Sequence, residues 1–330
     1  MGFIEALKPF WHPVLISTEL EDEPVKARLL NEQIVLYRTS QGVVALQDLC
    51  IHRGAALSLG KLQGDYIECP YHGFQYAPDG RCVLIPSLGP DHPIPEKARV
   101  VRYHAQERYG VIYVALEEPV TDIFGYPEYD DPGYRTTVWT RDFEAGATRV
   151  LENNYDYTHL AFIHAPILAV RSDDLTMPPL PPPKREGYEI VMDPLVVHEP
   201  NYAHTHQPVG PARVPIKYYS RTIMPLTSHT KTVRVDDGVE GSDAMVFVLV
   251  PSPISETESR TFVWLSRNYS LDWPDSEVDF IFQRILSQDI DTVQSQVPKR
   301  VPTDLRKELF LPHETHHVEY RRWLRELGVD

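Results

Sequence analysis

The sequence has little cysteine: three cysteines among 330 residues are too few for a disulfide framework in a chain of this size. It also lacks an excess of basic residues, with 32 Lys and Arg against 47 Asp and Glu and a formal net charge of −15. Nucleic-acid binding needs clustered Lys and Arg, so that class of function is excluded. The acidic surplus would suit a basic redox partner, although in most proteins such a surplus mainly serves solubility.

Targeting signals are absent from the start of the chain. Residues 1–6 contain no basic stretch followed by an apolar one, and position 6 is not the Ser or Thr of a myristoylation signal. No apolar run approaches the length of a membrane span. We therefore expect a soluble, cytoplasmic protein that binds neither a membrane nor a nucleic acid.

The first third of the chain has the pattern of a small antiparallel β domain. Apolar and polar residues alternate in short runs, and Asp79-Gly80 is typical of a hairpin turn. A stretch rich in Pro, Gly, Asp and Tyr at 121–134 suits a linker, so we predict domains at 1–118 and 119–330. The predicted strands are 27–37, 43–47, 66–69 and 111–115.

The remaining two thirds predict an α+β domain. A helix is expected at 148–163, ended by Pro166, and the proline-rich stretch 178–183 favours an irregular loop. A long helix at 276–296 and a shorter one at 316–327 close the chain, so we expect a helix lying on an antiparallel sheet. The predicted strands are 188–197, 216–223, 244–250 and 260–267.

Two of the cysteines occur in short motifs with histidines. Cys50-x-His52 is separated by sixteen residues from Cys69-x-x-His72, so two loops can supply four metal ligands. Both a single tetrahedral zinc ion and a 2Fe–2S cluster are compatible with this ligand set. Cys82 lies outside the pattern, and we expect it to be a small buried residue rather than a fifth ligand.

The order of these ligands favours the cluster over zinc. Zinc sites of this composition usually pair Cys with Cys and His with His, whereas here each loop gives one of each. In a cluster, both thiolates would bind one iron and both imidazoles the other. Such mixed ligation raises the reduction potential above that of an all-cysteine cluster.

A second group of candidate ligands follows in the second domain. Asp156, His159 and His164 form an Asp-x-x-His-x₄-His motif near the end of the predicted helix. A lone His among apolar residues is more often a core residue, but two with a preceding Asp are typical of a metal site. Two neutral imidazoles and one carboxylate form the facial triad of non-haem Fe(II), which leaves positions open for O₂.

The third ligand of such a triad must come from elsewhere, and the long helix offers Asp289 and Asp291. Helical periodicity places Asp289 in line with Phe282, Ile285 and other apolar residues, whereas Asp291 falls on the polar face. A carboxylate among apolar residues is costly unless it is paired or binds a metal. The sequence therefore predicts Asp289 as the ligand and Asp291 as a solvated residue.

With these motifs the sequence resembles the Rieske non-haem iron oxygenases. The likeness rests on Cys-x-His-Arg-Gly at 50–54, Leu-Ser-x-Gly at 57–60, Cys-Pro-Tyr-His-Gly at 69–73 and the Asp-x-x-His-x₄-His motif. It extends over nearly the whole chain and is greatest for the group with vanillate demethylase, dicamba monooxygenase and the saxitoxin-tailoring hydroxylases. One departure is Gln294, where the family usually has Glu, which puts a contact near the metal in doubt.

The resemblance implies a fold, two cofactors and an assembly. The fold would be an antiparallel Rieske domain followed by a helix-grip (START-like) catalytic domain with a long C-terminal helix. The cofactors would be a 2Fe–2S cluster on Cys50, His52, Cys69 and His72, and an Fe²⁺ ion on His159, His164 and Asp289. The assembly would be a head-to-tail homotrimer. Asp156 and Asn153 would have catalytic roles, with Asp156 linking His159 to His72 of a neighbouring subunit.

The implied activity is that of a terminal oxygenase. Because the sequence has no Gly-rich dinucleotide motif and no further cysteine-rich cluster, electrons from NAD(P)H must come from a separate reductase, with or without a ferredoxin. We expect hydroxylation or oxidative demethylation of a small aromatic or polycyclic substrate. The alternatives are a cis-dihydroxylating dioxygenase, whose chains are typically longer, and a non-catalytic electron carrier with a ligand-binding domain, which would need no second iron site.

Overall fold

The computed structural model describes residues 2–89, 92–165, 167, 176–200 and 213–329. The chain divides into an N-terminal unit, Leu7–Ile123, and a C-terminal unit that joins Met1–Ala6 to Phe124–Asp330. No helix among the described residues is long and apolar enough to cross a membrane.

The N-terminal unit consists of two antiparallel sheets, preceded by the short helix α1 (Phe3–Leu7) at the start of the chain. Its strands are β1 His12–Ile16, β2 Val25–Leu29, β3 Glu32–Thr39, β4 Gly42–Gln47, β5 Lys61–Gln63, β6 Tyr66–Glu68, β7 Gln75–Tyr76, β8 Cys82–Leu84, β9 Arg102–Arg108 and β10 Val111–Ala115. The larger sheet has the order β1-β10-β9-β4-β3-β2, and the smaller one β5-β6-β7-β8.

The strand predicted at 27–37 is wrong, because the chain reverses inside it. Leu30 and Asn31 have φ values of 50° and 68°, and they connect β2 to β3 as a two-residue hairpin turn. Such turns match the twist of the flanking strands, and Asn tolerates the left-handed conformation. The turn predicted at Asp79-Gly80 is present, with Gly80 at φ 83° between β7 and β8.

One apolar core of the N-terminal unit connects the larger sheet to the smaller one. Val35 and Leu46 from the larger sheet and Ile67 from the smaller sheet are fully buried. The same core includes Cys50 and Cys69, which the sequence identified as candidate ligands. The loops that carry these cysteines are therefore packed against the core of the unit.

The C-terminal unit is an antiparallel sheet with helices. The strands are β11 Arg135–Phe143, β12 Lys184–Glu186, β13 Glu189–Val191, β14 Leu195–Pro200, β15 Arg213–Ile223, β16 Thr227–Asp236, β17 Val239–Pro253 and β18 Ser259–Arg267. Their order is β11-β18-β17-β16-β15-β13-β12, with β14 also paired to β15. The helices are α2 Pro127–Asp130, α3 Ala147–Asn154, α4 Leu160–Ile163, α5 Asp275–Ser295 and α6 Thr315–Glu326.

The long helix α5 lies on this sheet. The ring of Phe282 on α5 is 5.9 Å from that of Phe247 on β17, measured between centroids. The opposite face of the sheet is covered by the segment before β11, where the Tyr126 hydroxyl is 2.6 Å from the Ser266 hydroxyl. A long helix on one face of an antiparallel sheet is the predicted α+β, helix-grip arrangement, which is confirmed.

Two predicted elements of this unit are broken in the structure. The helix predicted at 148–163 is two helices, α3 and α4, separated by residues 155–159. The strand predicted at 188–197 is β13 and β14, which pair with different parts of β15 and are separated by Pro194, whose nitrogen cannot donate to a ladder. Pro166, the predicted helix end, lies outside the described residues.

Candidate metal centres and cavity

Two loops of the N-terminal unit share one backbone design. In each, the cysteine amide donates to the carbonyl five residues later, and the amide of the glycine four residues after the cysteine donates to the cysteine carbonyl, at 2.7–3.1 Å. Gly54 and Gly73 have φ values of 72° and 70°, a left-handed conformation that favours glycine. The loops therefore present their Cys and His side chains in matching positions.

The thiols and the imidazoles of these loops lie at different depths. Cys50 and Cys69 are buried, whereas His52 and His72 are exposed, with their Nδ1 atoms 3.2 Å apart. Burial raises the pKa of the Cys69 thiol, and the neighbouring Cys50 thiol adds to the rise. Two buried sulfur donors and two exposed nitrogen donors form separate pairs.

This separation argues against a single ion in the N-terminal unit. Among the described residues, three donor atoms of His, Cys, Asp or Glu come within 4.8 Å of one another only at His159, His164 and Asp289. A tetrahedral zinc ion needs all four of its donors around one point. The two pairs instead suit a centre with two metal positions, one for the thiolates and one for the imidazoles.

Tyr76 contacts this centre, and the sequence analysis did not single it out. Its side chain is fully buried, and its hydroxyl is 3.1 Å from Cys50 Sγ. Burial raises the pKa of Tyr76, so the phenol keeps its proton and can donate it to a thiolate. Tyr76 lies in β7, seven residues after Cys69, and no sequence motif points to its contact with Cys50.

The second candidate centre is assembled in the C-terminal unit from the residues that flank the short helix α4 and from the long helix α5. His159 and His164 flank α4 at its first and last turn, and their Nε2 atoms are 3.1 Å apart. Asp289, near the C-terminal end of α5, places its Oδ1 atom 3.5 Å from His159 Nε2 and 3.3 Å from His164 Nε2. The structure therefore brings together three side chains that lie up to 130 positions apart in the sequence.

The electrostatics of these three groups fit a bound cation. Asp289 is 4% exposed, and its Oδ1 atom is buried without a hydrogen-bond partner among the described residues. Burial lowers the pKa of His159, against a smaller rise from the charges of Asp289 and Asp156, so its imidazole stays neutral. A buried carboxylate beside neutral imidazoles is costly unless a metal ion balances it. Asp291, two residues along α5, is exposed.

Gln288 orients one of the two histidines. Its side-chain carbonyl Oε1 is 3.1 Å from His164 Nδ1, so that nitrogen donates and the Nε2 lone pair is directed towards Asp289. Helical periodicity gave no sign of this contact, because Gln288 is not in line with the apolar residues that mark the buried face of α5. Gln294, where the resembling family has Glu, accepts instead from the backbone amide of Glu144 at 2.8 Å.

Asp156 does not contact His159 in the way expected from the resemblance. Its Oδ1 atom accepts hydrogen bonds from the Thr158 amide at 2.8 Å and the Thr158 hydroxyl at 2.6 Å. His159 Nδ1 is buried without a partner among the described residues. The side chain of Asp156 thus closes a local turn, which competes with helix formation and explains the break between α3 and α4. Its second oxygen, Oδ2, has no partner in the described part of the chain.

A cavity of about 380 Å³ opens onto this centre within the C-terminal unit. Its walls are mainly aliphatic and aromatic, and His159, His164 and Asp289 lie at its surface. Asn153, at the end of α3, also lines it. The volume is in the range of small-molecule sites and suits a ligand of one or two rings.

The three histidines near the C-terminus do not form a metal site among the described residues. His316 and His317, in the first turn of α6, are buried. His316 Nε2 is 2.8 Å from the Thr222 hydroxyl, and burial lowers the pKa of His316 to about 3. Its ring stacks on that of Tyr155, with centroids 4.1 Å apart, as part of the core.

Comparison with known families and proteins matches both units. Residues 10–104 match the Rieske [2Fe-2S] domain, and residues 143–330 match the vanillate O-demethylase oxygenase C-terminal domain. The chain is 33% identical to methylxanthine N1-demethylase NdmA of Pseudomonas putida, over 98% of this chain and 90% of that protein. It is 28% identical to methylxanthine N3-demethylase NdmB of the same organism, with the same coverage.

Solved structures are similar over the same length. The structure of Pseudomonas putida CBB5 NdmA with caffeine superimposes with a TM-score of 0.83 at 32% identity, covering 98% of this chain and 91% of that one. Dicamba monooxygenase bound to dicamba has the same fold, with a TM-score of 0.79 at 21% identity and coverages of 99% and 98%. Two family matches that together span most of the chain, and relatives that match it nearly end to end, lead to one conclusion: the chain belongs to the Rieske non-haem iron oxygenases, which carry a Rieske 2Fe–2S cluster and a mononuclear iron.

Proposed function

We propose that this chain is the terminal component of a monooxygenase system that hydroxylates or oxidatively demethylates a small aromatic or polycyclic molecule. The observation that carries the proposal is the buried group His159, His164 and Asp289 at the wall of an apolar cavity of about 380 Å³. A non-catalytic electron carrier would need neither feature. The similarity to two methylxanthine demethylases favours demethylation over cis-dihydroxylation.

The ligand atoms of each candidate centre indicate which metal it binds. The cluster is held by Cys50 and Cys69 on one iron and by His52 and His72 on the other, in line with their separation into two pairs. The mononuclear Fe²⁺ is held by His159, His164 and Asp289. The unpartnered Oδ1 of Asp289 and the neutral imidazole of His159 support this second assignment.

Each of the surrounding residues has a defined task during turnover. When bound, the mononuclear iron activates O₂ with electrons that the cluster passes on. Gln288 fixes the ring of His164, and the apolar walls exclude water from the reacting carbon. Asn153 binds the substrate through its side-chain amide at the cavity wall. Asp156 lies on the path of the electron from the cluster of a neighbouring subunit to the mononuclear iron.

Four further features belong to the same proposal. The oxygenase acts as a head-to-tail homotrimer in the cytoplasm, and a separate NAD(P)H-dependent reductase, with or without a ferredoxin, supplies its electrons. The boundary between the Rieske domain and the catalytic domain lies near residue 118. Support for that boundary comes from the amides of Leu116 and Glu117, which donate to the Lys8 carbonyl and tie this stretch to the N-terminal unit.

Metal content and turnover test the proposed function directly. Protein reconstituted without oxygen should be red-brown and contain about three irons and two acid-labile sulfides per chain. With a reductase and NADH, O₂ uptake should depend on an added methoxy- or N-methyl-arene, and formaldehyde should form in equal amount. A colourless protein with stoichiometric zinc would refute the cluster, and O₂ uptake without any substrate dependence would refute the oxygenase.

The contact between Tyr76 and Cys50 gives a prediction for the cluster. Tyr76→Phe removes one hydrogen bond to a ligand sulfur, which stabilises the reduced, more negative cluster more than the oxidised one. The reduction potential should fall by about 50 mV, equivalent to about 1 kcal/mol or one hydrogen bond. Redox titration followed by visible circular dichroism measures it. Tyr66→Phe, at an exposed tyrosine of β6, is the control and should leave the potential unchanged.

A further inference from the structure

We propose that the cavity accepts uncharged substrates and rejects aromatic acids of the same shape. This inference deepens the proposed function and rests on it, because it takes the cavity beside His159, His164 and Asp289 as the substrate site. It follows from where the charged side chains of the C-terminal unit lie along the cavity. The distribution of charge decides between two substrate classes that apolar walls alone would accept equally.

The positive charges at the cavity wall are remote from the metal ligands and already engaged. Among the described lining residues they are Arg234 and Arg267. Arg267 donates to the carbonyls of Tyr269, Ser270 and Trp273 at 2.6–3.2 Å and to the Asp275 carboxylate at 3.0 Å. It is therefore a structural cation that holds the start of α5.

Arg234 lies at the end of the cavity opposite the metal ligands. The end of α3, which leads to the ligands, is anchored to β16 at Ser228, whose hydroxyl accepts from Asn154 at 2.7 Å. Arg234 follows Ser228 by six residues on the same strand, about 20 Å further at the rise of an extended chain. Its guanidinium is also paired with Asp236 at 2.9 Å.

The end of the cavity near the metal ligands carries negative charge instead. Of the described lining residues, Asp156 and Asp289 are the charged groups there apart from the histidines. Within the described lining, these two carboxylates would balance the charge of a bound Fe²⁺, so this end offers an anion no net positive charge. The third lining carboxylate, Asp243, lies towards the Arg234 end, next to Ala244, which pairs with Val233.

Between the two ends the described lining carries no charged side chain: it is mainly apolar, with the hydroxyls of Thr230 and Thr232 on β16 among its polar groups. On α5, Val278, Phe282 and Ile285 face it before Asp289, a distance of about 16 Å from Val278 to Asp289 along the helix. Across from them lie Ile216 on β15 and Phe247 on β17. A substrate of one or two rings with its reacting methyl group at the metal would place any carboxylate in this middle section. An unpaired carboxylate without water is strongly disfavoured there.

An uncharged substrate, by contrast, finds a polar partner near the metal. Asn153 lines the cavity at the end of α3, six residues before the proposed ligand His159. It can both donate to a ring nitrogen or carbonyl and accept from an N–H group. A neutral amide of this kind recognises a neutral heteroaromatic or carboxamide without the cost of burying a charge.

Pairs of probes that differ in charge alone test this inference. We would measure dissociation constants by titration calorimetry on the full iron-loaded protein, under nitrogen, for para-methoxybenzamide against para-methoxybenzoate and for N-methylindole carboxamide against the carboxylate. The amide should bind at least about 30-fold more tightly in each pair. Equal or tighter binding of either acid would overturn the proposal. Failure of all four probes to bind would also overturn the proposal, because it requires that uncharged compounds of one or two rings bind in the cavity.

Two variants show whether charge is the cause. Thr230→Lys, which adds a cation to the middle section, should reverse the preference in favour of the acids. Arg234→Gln should change the ratio of acid to amide affinity by less than about threefold, because Arg234 lies at the far end. Selective loss of acid binding in Arg234→Gln would show that Arg234 is an anion receptor and would refute the proposal.

The binding assay separates this inference from the proposed function, since it needs neither electrons nor oxygen. A protein that binds the amides selectively but never consumes O₂ with them would refute the oxygenase proposal and leave the charge preference standing. Demethylation of acid and amide with equal efficiency would confirm the oxygenase and refute the charge preference.

Discussion

Asp289→Ala should lose the mononuclear iron and all measurable turnover while the cluster keeps its visible spectrum. Asp289 is the carboxylate of the proposed triad, 3.5 and 3.3 Å from the two histidine nitrogens. Two imidazoles alone hold Fe²⁺ weakly, so the iron content should fall from about three to about two per chain. Iron and acid-labile sulfide analysis measures the first effect, and substrate-dependent O₂ uptake the second.

Asp291→Ala is the matched control for this experiment. It removes the same side chain two residues further along α5, where it is exposed. Iron content and turnover should stay close to those of the unmodified protein. The metal-free Asp289→Ala protein should be no less stable than the metal-free parent, because it loses a buried carboxylate oxygen that has no internal hydrogen bond. Loss of iron in Asp291→Ala but not in Asp289→Ala would refute the helical-phase argument.

Much of the architecture could be predicted because apolar residues recur in the sequence with the period of a helix or a strand. The burial of Asp289 and the exposure of Asp291 follow from the spacing of apolar residues along one long helix. Most predicted strands and both C-terminal helices occur within a few residues of their expected positions. In such elements a single face is buried, so the local pattern and the tertiary structure agree.

Three predicted elements are divided in the structure: one at Pro194, and two where a short-range contact opposes the pattern. The run 27–37 alternates well enough to read as one strand, yet the turn at Leu30 and Asn31 divides it. The stretch around Asp156 reads as helix, yet its carboxylate binds the Thr158 amide and hydroxyl and ends α3. Both breaks contain Asn or Asp, the residues whose side chains most readily replace a helical or strand hydrogen bond.

Beyond the three proposed iron ligands, the contacts between distant residues could not be predicted. The bond from His164 to Gln288 joins residues 124 positions apart, and the one from Cys50 to Tyr76 joins residues 26 apart. The buried pair of Arg321 with Glu152 spans 169 positions. Each depends on how the elements meet in space, whereas periodicity reports only which face of one element is buried.

The second large effect concerns Asp156, which we propose to carry the electron from a neighbouring subunit's cluster to the mononuclear site. Its Oδ1 atom accepts from the amide and hydroxyl of Thr158, whereas Oδ2 has no partner among the described residues, and we propose that Oδ2 binds a group of the neighbouring subunit. His72, a proposed cluster ligand, is exposed in the N-terminal unit, so its ring is accessible to such a contact in an assembly. In the proposed head-to-tail trimer, this contact would come from the adjacent subunit.

Asp156→Asn keeps the shape of this side chain but removes its charge. The variant should retain its cluster, its mononuclear iron and its oligomeric state. Oxidation of the reduced cluster after addition of substrate and O₂ should slow by about 10- to 100-fold, as is usual when a group that supports a metal ligand is altered. Single-turnover stopped-flow absorption of the cluster measures this rate, and light scattering after size exclusion measures the oligomer.

A second variant separates electron transfer from a local structural role. Thr158→Val removes the hydroxyl that binds Asp156 Oδ1 at 2.6 Å but leaves the Asp156 charge in place. If Asp156 served only to close its own turn, Thr158→Val should slow cluster oxidation as much as Asp156→Asn does. If Oδ2 carries the contact to the neighbouring subunit, Thr158→Val should oxidise its cluster at nearly the rate of the parent. Parental rates in Asp156→Asn, or a monomer with full activity, would remove the bridging role, because in a monomer no neighbouring cluster is within reach.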